Sequence, residues 1–372
     1  MLHIAIIADP IEKQSAGIHY YTKGLINTLA KYPTKVKLSV IMMTKDFPNS
    51  SVDSYILPNT FKFLKNDPYR TFITLPALIN KINPDIVIEP AHFGPFNIHK
   101  HIKRVTVIHD LIPIVKPLYS TFFSVLLHKL LLKRILKNAD LIITNSNYTN
   151  QLLVKHYVFV ADKSVYIYPG TANDTVFNPI NDFDYSALSS IKPKKYFLFA
   201  GTIEPRKNLI SLLEAFSIFK SFSGTNDIKL VIAGGLGWKY RKILKFIKKH
   251  KYCDSIVLTG YLQDYLMPML YSNAIAKVFP SYDEGFGIPV IEAMRCKCPL
   301  ILSDIPIFRE IAINNALFCN PHSIEEFSDA MYNLFTNQPS DNVLNQSLAH
   351  ANNYSWELFG ENLVECLNSR FL

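Results

Sequence analysis

Two carboxylates eight residues apart, Glu284 and Glu292, bracket a glycine-bearing turn in Asp283-Glu284-Gly285-Phe286-Gly287-Ile288-Pro289-Val290-Ile291-Glu292-Ala293. Gly285 and Gly287 permit a tight turn with exposed backbone amides, and Pro289 suits the first turn of a helix that begins at once. Such a helix start attracts anions, because its first amides lack intrahelical partners. One carboxylate in the loop and one about a turn into the helix can face a single ligand; alternatively both simply cap and solubilise the helix. A second candidate is Gly201-Thr202-Ile203-Glu204-Pro205-Arg206-Lys207-Asn208. Gly201 lets the chain turn close to a ligand, while Arg206 and Lys207 can neutralise a diphosphate by bidentate and point-charge contact. A solvated basic turn is the plainer account of that pair.

Weaker candidates follow other predicted strands. His109, with Asp110 orienting the loop, is placed to hydrogen-bond a hydroxyl, and His92 is a lesser candidate of the same kind; a strand-end histidine is otherwise structural. Ser15-Ala16-Gly17-Ile18-His19 offers a small-residue turn whose amides can meet phosphate or acceptor. In Gly260-Tyr261-Leu262-Gln263-Asp264 the Leu262 backbone or Asp264 can meet a base, unless Asp264 caps the next helix. Gly234-Gly235-Leu236-Gly237 can likewise approach a nucleotide. The chain has no GxGxxG, Walker A, HExxH, paired CxxC or DxD, which removes the main support for NAD enzymes, P-loop ATPases and metal sites. No metal or other cofactor is expected, and phosphate charge falls to Arg206, Lys207 and helix ends.

These loops need strands to hold them. Short β-branched runs alternate with longer amphipathic stretches, the pattern of parallel sheets covered by helices. The predicted strands are Leu2–Ile7, Val36–Met42, Asp85–Glu89, Arg104–His109, Asp140–Thr144 and Val165–Tyr168, then Tyr196–Ala200, Ile228–Ala233, Ser255–Thr259, Ala274–Phe279, Pro299–Ser303 and Ala316–Cys319. The fold class is therefore α/β, with two Rossmann-like, doubly wound parallel-sheet domains. Residues 1–177 form the first and 196–353 the second; 178–195, rich in Pro, Asp and Ser, reads as the linker, with a cleft beside it. Residues 354–372 form a helix with Trp356, Phe359, Leu363 and Leu367 on one buried stripe, expected to cross the domain junction.

At 372 residues, 49% hydrophobic and 19% charged, the chain is long enough for two cores and is not a disordered protein. The N-terminus has no basic leader, and the apolar stretch Phe122–Leu136 is interrupted by His128, Lys129, Lys133 and Arg134, short of the ~18 apolar residues of a spanning helix. Five cysteines without paired spacing suit a reducing, cytoplasmic setting. The net charge of +9 fits nucleic acid, an anionic membrane or phosphorylated ligands. Lys129, Lys133, Arg134 and Lys137 fall on one helix face with leucines largely opposite, as in an interfacial helix or an ordinary helix with a solvated face. Lys239–Lys251 is a second basic helix.

Together these segments resemble a family-4 glycosyltransferase of the GT-B fold. The resemblance runs from the Gly17 turn through IHDLIP (108–113), TNSNYT (144–149), GTIEPRKNL (201–209) and DEGFGIPVIEAM (283–294) to the Trp356 tail. It implies a nucleotide diphosphate-sugar donor whose diphosphate is held by Arg206 and Lys207. Glu292 would bind the ribose hydroxyls, Glu284 and the amides of Phe286, Gly287 and Ile288 the donor sugar, and His109 would lie by the sugar's reacting face. It also implies retention through a front-face path assisted by the leaving phosphate, with no enzymic nucleophile. Ala16 departs from the Gly-Gly turn of many relatives. The EPRKN form and His92–Pro95 look most like bacterial mannosyl- or rhamnosyltransferases of O-antigen and capsule assembly, which favours GDP-mannose over UDP-sugars and a lipid-linked or polysaccharide acceptor. Competing readings are a nucleotide-sugar epimerase and a basic lipid- or nucleic-acid-binding scaffold; no aromatic-basic motif supports nucleic acid. Glu284→Ala and Arg206→Ala are expected to abolish transfer with the fold intact, since both lie outside the predicted core.

Overall fold

The computed structural model describes residues 1–13, 16–60, 68–94, 96–171, 176–180 and 191–372. They fall into two compact units, Met1–Ala172 with Ser355–Leu372, and Asn173–Tyr354. The first carries β1 (Leu2–Ile7), β2 (Val36–Met42), β3 (Asp53–Ile56), β4 (Ile86–Glu89), β5 (Lys103–Ile108), β6 (Leu141–Thr144) and β7 (Ser164–Tyr166) in the order β3-β2-β1-β4-β5-β6-β7. The second carries β8 (Tyr196–Ala200), β9 (Lys229–Ala233), β10 (Ile256–Gly260), β11 (Ala276–Phe279), β12 (Leu300–Ser303) and β13 (Leu317–Cys319) in the order β10-β9-β8-β11-β12-β13. The pairings β1–β2, β1–β4, β8–β9 and β8–β11 are all parallel. In each sheet the winding reverses beside its first strand, so the switch points lie between β1 and β4 and between β8 and β11. Ligand-binding loops of open parallel sheets gather at the carboxyl ends of strands at such points.

The strands form where Val, Ile, Leu and Phe run without interruption, because helices cover both faces of the sheet. β4, β6, β8, β11 and β12 are buried along their whole length. The strand that sequence patterning misses is β3: an edge strand, Asp-Ser-Tyr-Ile, with both end residues exposed and no apolar run to signal it.

The core of the first unit joins Ile4, Ile6, Val40, Ile88 and Val107 to Trp356, Phe359, Leu363 and Leu367 of the tail helix Trp356–Phe371. Ser355 caps that helix, accepting from the Leu358 amide at 3.2 Å. The Trp356 indole donates to the Thr171 carbonyl, and a Cβ at Gly24 or Gly170 would overlap the indole ring. The expected tail stripe is therefore real, and it completes the first unit. Both described ends of the expected 178–195 linker attach to the second unit: the Ile180 amide donates to Ser272 Oγ at 3.0 Å, and Lys194 Nζ donates to the carbonyls of Ser272 and Ala274 at 3.1 and 2.9 Å. Ser15, Pro95 and 181–190 lie outside the described residues.

The helix Phe122–Asn138 corrects one expectation. Leu132, Ile135, Leu136 and His128 are buried, but the apolar residues are not gathered opposite the basic ones. Phe122 is 83% exposed and Leu130 66%, with Phe123, Leu126 and the preceding Leu118 exposed as well. At 100° per residue Phe122, Leu126 and Leu130 share a face with Lys129, Lys133 and Lys137. The exposed face is thus apolar in its first half and cationic in its second. In the other unit, helix Tyr240–Lys249 buries Ile243 and Ile247 and exposes Arg241, Lys242, Lys245, Lys248 and Lys249. Among the described residues no helix is long and apolar enough to cross a membrane.

Candidate active site

The loops after β8 and β11 meet through charge. After β8, Pro205 opens a single 3-10 turn that ends at Asn208, whose φ of 54° is a left-handed conformation asparagine tolerates. This geometry brings Arg206 and Lys207 against the β11 loop, and the Tyr282 amide donates to the Arg206 carbonyl at 3.0 Å. Arg206 Nη1 and Lys207 Nζ each donate to a different oxygen of Glu284, both at 2.6 Å. Arg206 also donates to the Asp283 carbonyl at 2.8 Å and, through Nη2, to Glu204 at 2.8 Å. The Glu284 amide donates to the Asp283 carboxylate at 2.9 Å. Burial of Glu284 opposes its ionisation, but Arg206 and Lys207 outweigh it and hold the carboxyl down at about 2. Burial also lowers the pKa of Lys207, with Glu284 opposing. Glu284 is only 6% exposed, so the expectation that Glu284 and Arg206 lie outside the core is wrong for Glu284, while Arg206 is partly buried.

Gly287, at φ 106°, stands immediately before helix Ile288–Arg295, with Pro289 in its first turn and no side chain capping its amides. The segment Phe286 to Ile288 therefore presents the anion-attracting helix start that the sequence implies, beside Gly285 and Glu284. Glu292, one turn further, does not join the Glu284 cluster directly. It is buried and accepts a hydrogen bond from the Tyr271 hydroxyl at 3.1 Å.

Two residues of this site are not singled out by motif: Tyr271 and Lys277. Lys277 lies on β11 with no solvent exposure and donates to the Ala200 carbonyl at 3.3 Å. Its signal in the sequence is a charged residue inside an apolar strand, Ala276-Lys277-Val278-Phe279, where charge is rare without a reason.

Glycines let the neighbouring loops approach. Gly201 donates its amide to the Ala233 carbonyl, Gly234 to Gly260 and Ile203 to Gly235, each at 2.9 Å, so the turns after β8, β9 and β10 are laced together. Gly234 has φ 153°, and a Cβ there would fall on the Gly201 carbonyl oxygen. Further along, Tyr261 is exposed and Leu262 partly buried. Asp264 opens a 3-10 turn, while Leu266 holds the N-cap position of the next helix without a side-chain cap bond.

In the first unit His109 follows β5 and is buried. Its backbone amide donates to His92 Nε2 and its own Nε2 donates to the Pro90 carbonyl, both at 2.7 Å. Those partners place the proton of neutral His109 on Nε2 and that of His92 on Nδ1. Burial lowers the pKa of both rings, most strongly that of His92. Asp110 orients the loop as expected, accepting from the Ile112 amide at 3.0 Å. Gly17 is not in a connecting turn: helix Ala16–Leu29 has already begun, and Gly17 is exposed in its first turn.

Two doubly wound sheets, with glycine turns and a cation-carboxylate cluster at the β8/β11 switch point, define a two-domain, doubly wound α/β class. Residues 16–174 match the family model for Glycosyltransferase Family 4, and residues 182–350 match that for Glycosyl transferases group 1. The chain belongs to the family-4 glycosyltransferases of the GT-B fold. It is 27% identical over 306 residues to the O-antigen chain mannosyltransferase RfbU of Salmonella typhimurium, across 82% of this chain and 79% of that protein. It is 26% identical over 261 residues to O-antigen chain mannosyltransferase B of Escherichia coli, across 70% and 68%. Among solved structures, sucrose-phosphate synthase from Thermosynechococcus elongatus superposes with a TM-score of 0.78 at 18% identity, across 100% of this chain and 99% of that one.

Proposed function

We propose that this chain is a retaining mannosyltransferase that moves mannose from GDP-mannose onto a lipid-linked or polysaccharide acceptor during surface-glycan assembly, at the cytoplasmic face of the membrane. The observation that carries the donor assignment is the Arg206–Glu284–Lys207 cluster at the β8/β11 switch point. In this reading Arg206 and Lys207 stabilise the charge that builds on the departing nucleoside diphosphate, in place of a metal ion. Glu284 positions both cations and, with the amides of Phe286, Gly287 and Ile288, receives the hydroxyls of the donor sugar. Glu292 accepts from the ribose hydroxyls, and the Tyr261–Asp264 turn borders the base. His109, neutral and carrying its proton on Nε2, offers its remaining ring nitrogen as an acceptor for a sugar hydroxyl. The helix-start amide of Gly17 meets the donor phosphate or the acceptor. Mannose and a surface glycan are favoured by the likeness to O-antigen mannosyltransferases.

The test is a binding and turnover series with GDP, UDP and ADP and their sugars, with EDTA present throughout. A nucleoside diphosphate that binds the native state raises the melting temperature. We expect GDP to do so, and GDP-mannose to yield an α-linked product by NMR. Release of a 2-epimeric free sugar from donor alone, or dependence on a divalent ion, would overturn the corresponding part of the reading.

Membrane contact is the second half of the proposal. Phe122, Phe123, Leu126 and Leu130 on the exposed half of their helix, followed by Lys129, Lys133, Arg134 and Lys137, suit the interface of an anionic bilayer.

A further inference from the structure

Lys277 is the most deeply buried cation near the nucleotide loops, and the roles above leave it without one. Its Nζ lies 4.5 Å from the centre of the Phe279 ring and 5.3 Å from that of Tyr271. The Tyr271 hydroxyl donates in turn to Glu292. Lys207 lies over the same Phe279 ring at 4.8 Å, so the cation of the Glu284 cluster and Lys277 share one aromatic side chain. The β8–β11 pairing, with Lys277 opposite Leu198, fixes this placement at the centre of the sheet. Taking an ammonium group out of water costs several kcal/mol, and ring faces with one carbonyl return only part of it. Among the described residues no carboxylate makes a contact ion pair with Lys277. Its compensation is the field of nearby carboxylates, Glu292 foremost.

We propose that Lys277 is a positioning residue for nucleotide binding: a buried cation that keeps the Glu292 carboxyl ionised, so that it can accept two hydrogen bonds from a ribose diol. This rests on the assignment of Glu292 to the ribose. Burial drives the Lys277 pKa down and the Glu292 pKa up, and each is the principal group restraining the other. Tyr271 also favours the Glu292 anion, while Asp264 disfavours it. Around Lys277, Cys298 and Glu284 favour the cation and Lys207 disfavours it. Without Lys277, Glu292 would face burial and Asp264 with only the Tyr271 hydroxyl in support, and its pKa would rise further.

The test is calorimetric titration of wild type and Lys277→Met with GDP, or UDP if wild type prefers it, from pH 6.5 to 9. The ratio of the two affinities at each pH cancels the ligand's own ionisation. We expect wild type to bind about tenfold or more tightly at pH 7, with the ratio falling toward one by pH 9 as Glu292 ionises unaided. In a Glu292→Gln background the Lys277→Met substitution should leave affinity unchanged at every pH, because the group it serves is gone. A ratio that does not vary with pH would make Lys277 purely structural and overturn the proposal. Should Lys277→Met fail to fold, the Glu292 side-chain 13C resonance of wild type, assigned by its loss in Glu292→Gln, serves instead. A carboxylate shift at pH 8 supports the role and a protonated shift overturns it. If wild type binds no nucleoside diphosphate at all, the functional reading itself fails.

Discussion

Glu284 accepts from two cations at once, and the consequences of removing it follow from its burial. Glu284→Ala leaves Arg206 and Lys207 facing each other without their shared anion, and breaking a buried pair in this way costs about 3–5 kcal/mol. We therefore expect Glu284→Ala to lower the melting temperature sharply as well as abolish transfer. Glu284→Gln, which keeps the shape and one acceptor, should fold more stably and still lose transfer; chemical denaturation of both variants checks this. The acid response has a definite sign. Because the folded pKa of Glu284 lies near 2, below the ordinary 4.5, its contribution is complete above about pH 4.5 and disappears as pH falls toward 2. It amounts to about 3 kcal/mol at neutral pH, and the difference in stability between wild type and Glu284→Gln should shrink across that window. Arg206→Ala should be milder for the fold, since Lys207 remains on Glu284, but should still cost activity.

At the level of elements, the turns after β8, β9 and β10 act as one laced surface. Gly234→Ala puts a Cβ onto the Gly201 carbonyl at a φ that favours glycine, so we expect it to separate these turns. Loss of nucleotide binding together with a stability decrease of about 1–3 kcal/mol is the anticipated result, read by titration and thermal melting. The helix Phe122–Asn138 carries a different prediction. Replacing Phe122, Phe123, Leu126 and Leu130 by serine removes exposed apolar surface and no core contact. Sedimentation with vesicles containing anionic lipid should show binding by wild type and at least a tenfold loss in the quadruple variant, with melting temperature unchanged. Equal binding by both would remove this helix from the membrane reading. Reversing Lys129, Lys133 and Lys137 to Glu should weaken binding most at low salt.

For the molecule as a whole, two parallel sheets wound about β1 and β8 place the candidate site loops at equivalent switch points, and the tail helix returns to close the first core. The alternation of β-branched runs with amphipathic stretches by itself determined twelve of the thirteen strands, β3 excepted, since a strand buried on both faces must be continuously apolar. It also marked the candidate site loops, because glycine, proline and charged residues immediately after such runs have few structural reasons to be there. The stripe of Trp356, Phe359, Leu363 and Leu367 was equally legible from its spacing. What only the tertiary structure decided is which of those groups are coupled. Glu284 reads as a loop residue and turns out to be buried between two cations drawn from 77 and 78 positions earlier, a contact that no local pattern encodes. Lys277 reads as an irregularity in a strand until the sheet register sets it at the centre of the second unit, among Phe279, Tyr271 and the field of Glu292. The apolar start of the Phe122–Asn138 helix looks like core in sequence, and only the packing of His128, Leu132, Ile135 and Leu136 leaves it facing out. Periodicity reports that a side chain is apolar and on a given face; which face the rest of the chain covers is settled by contacts between residues far apart in sequence.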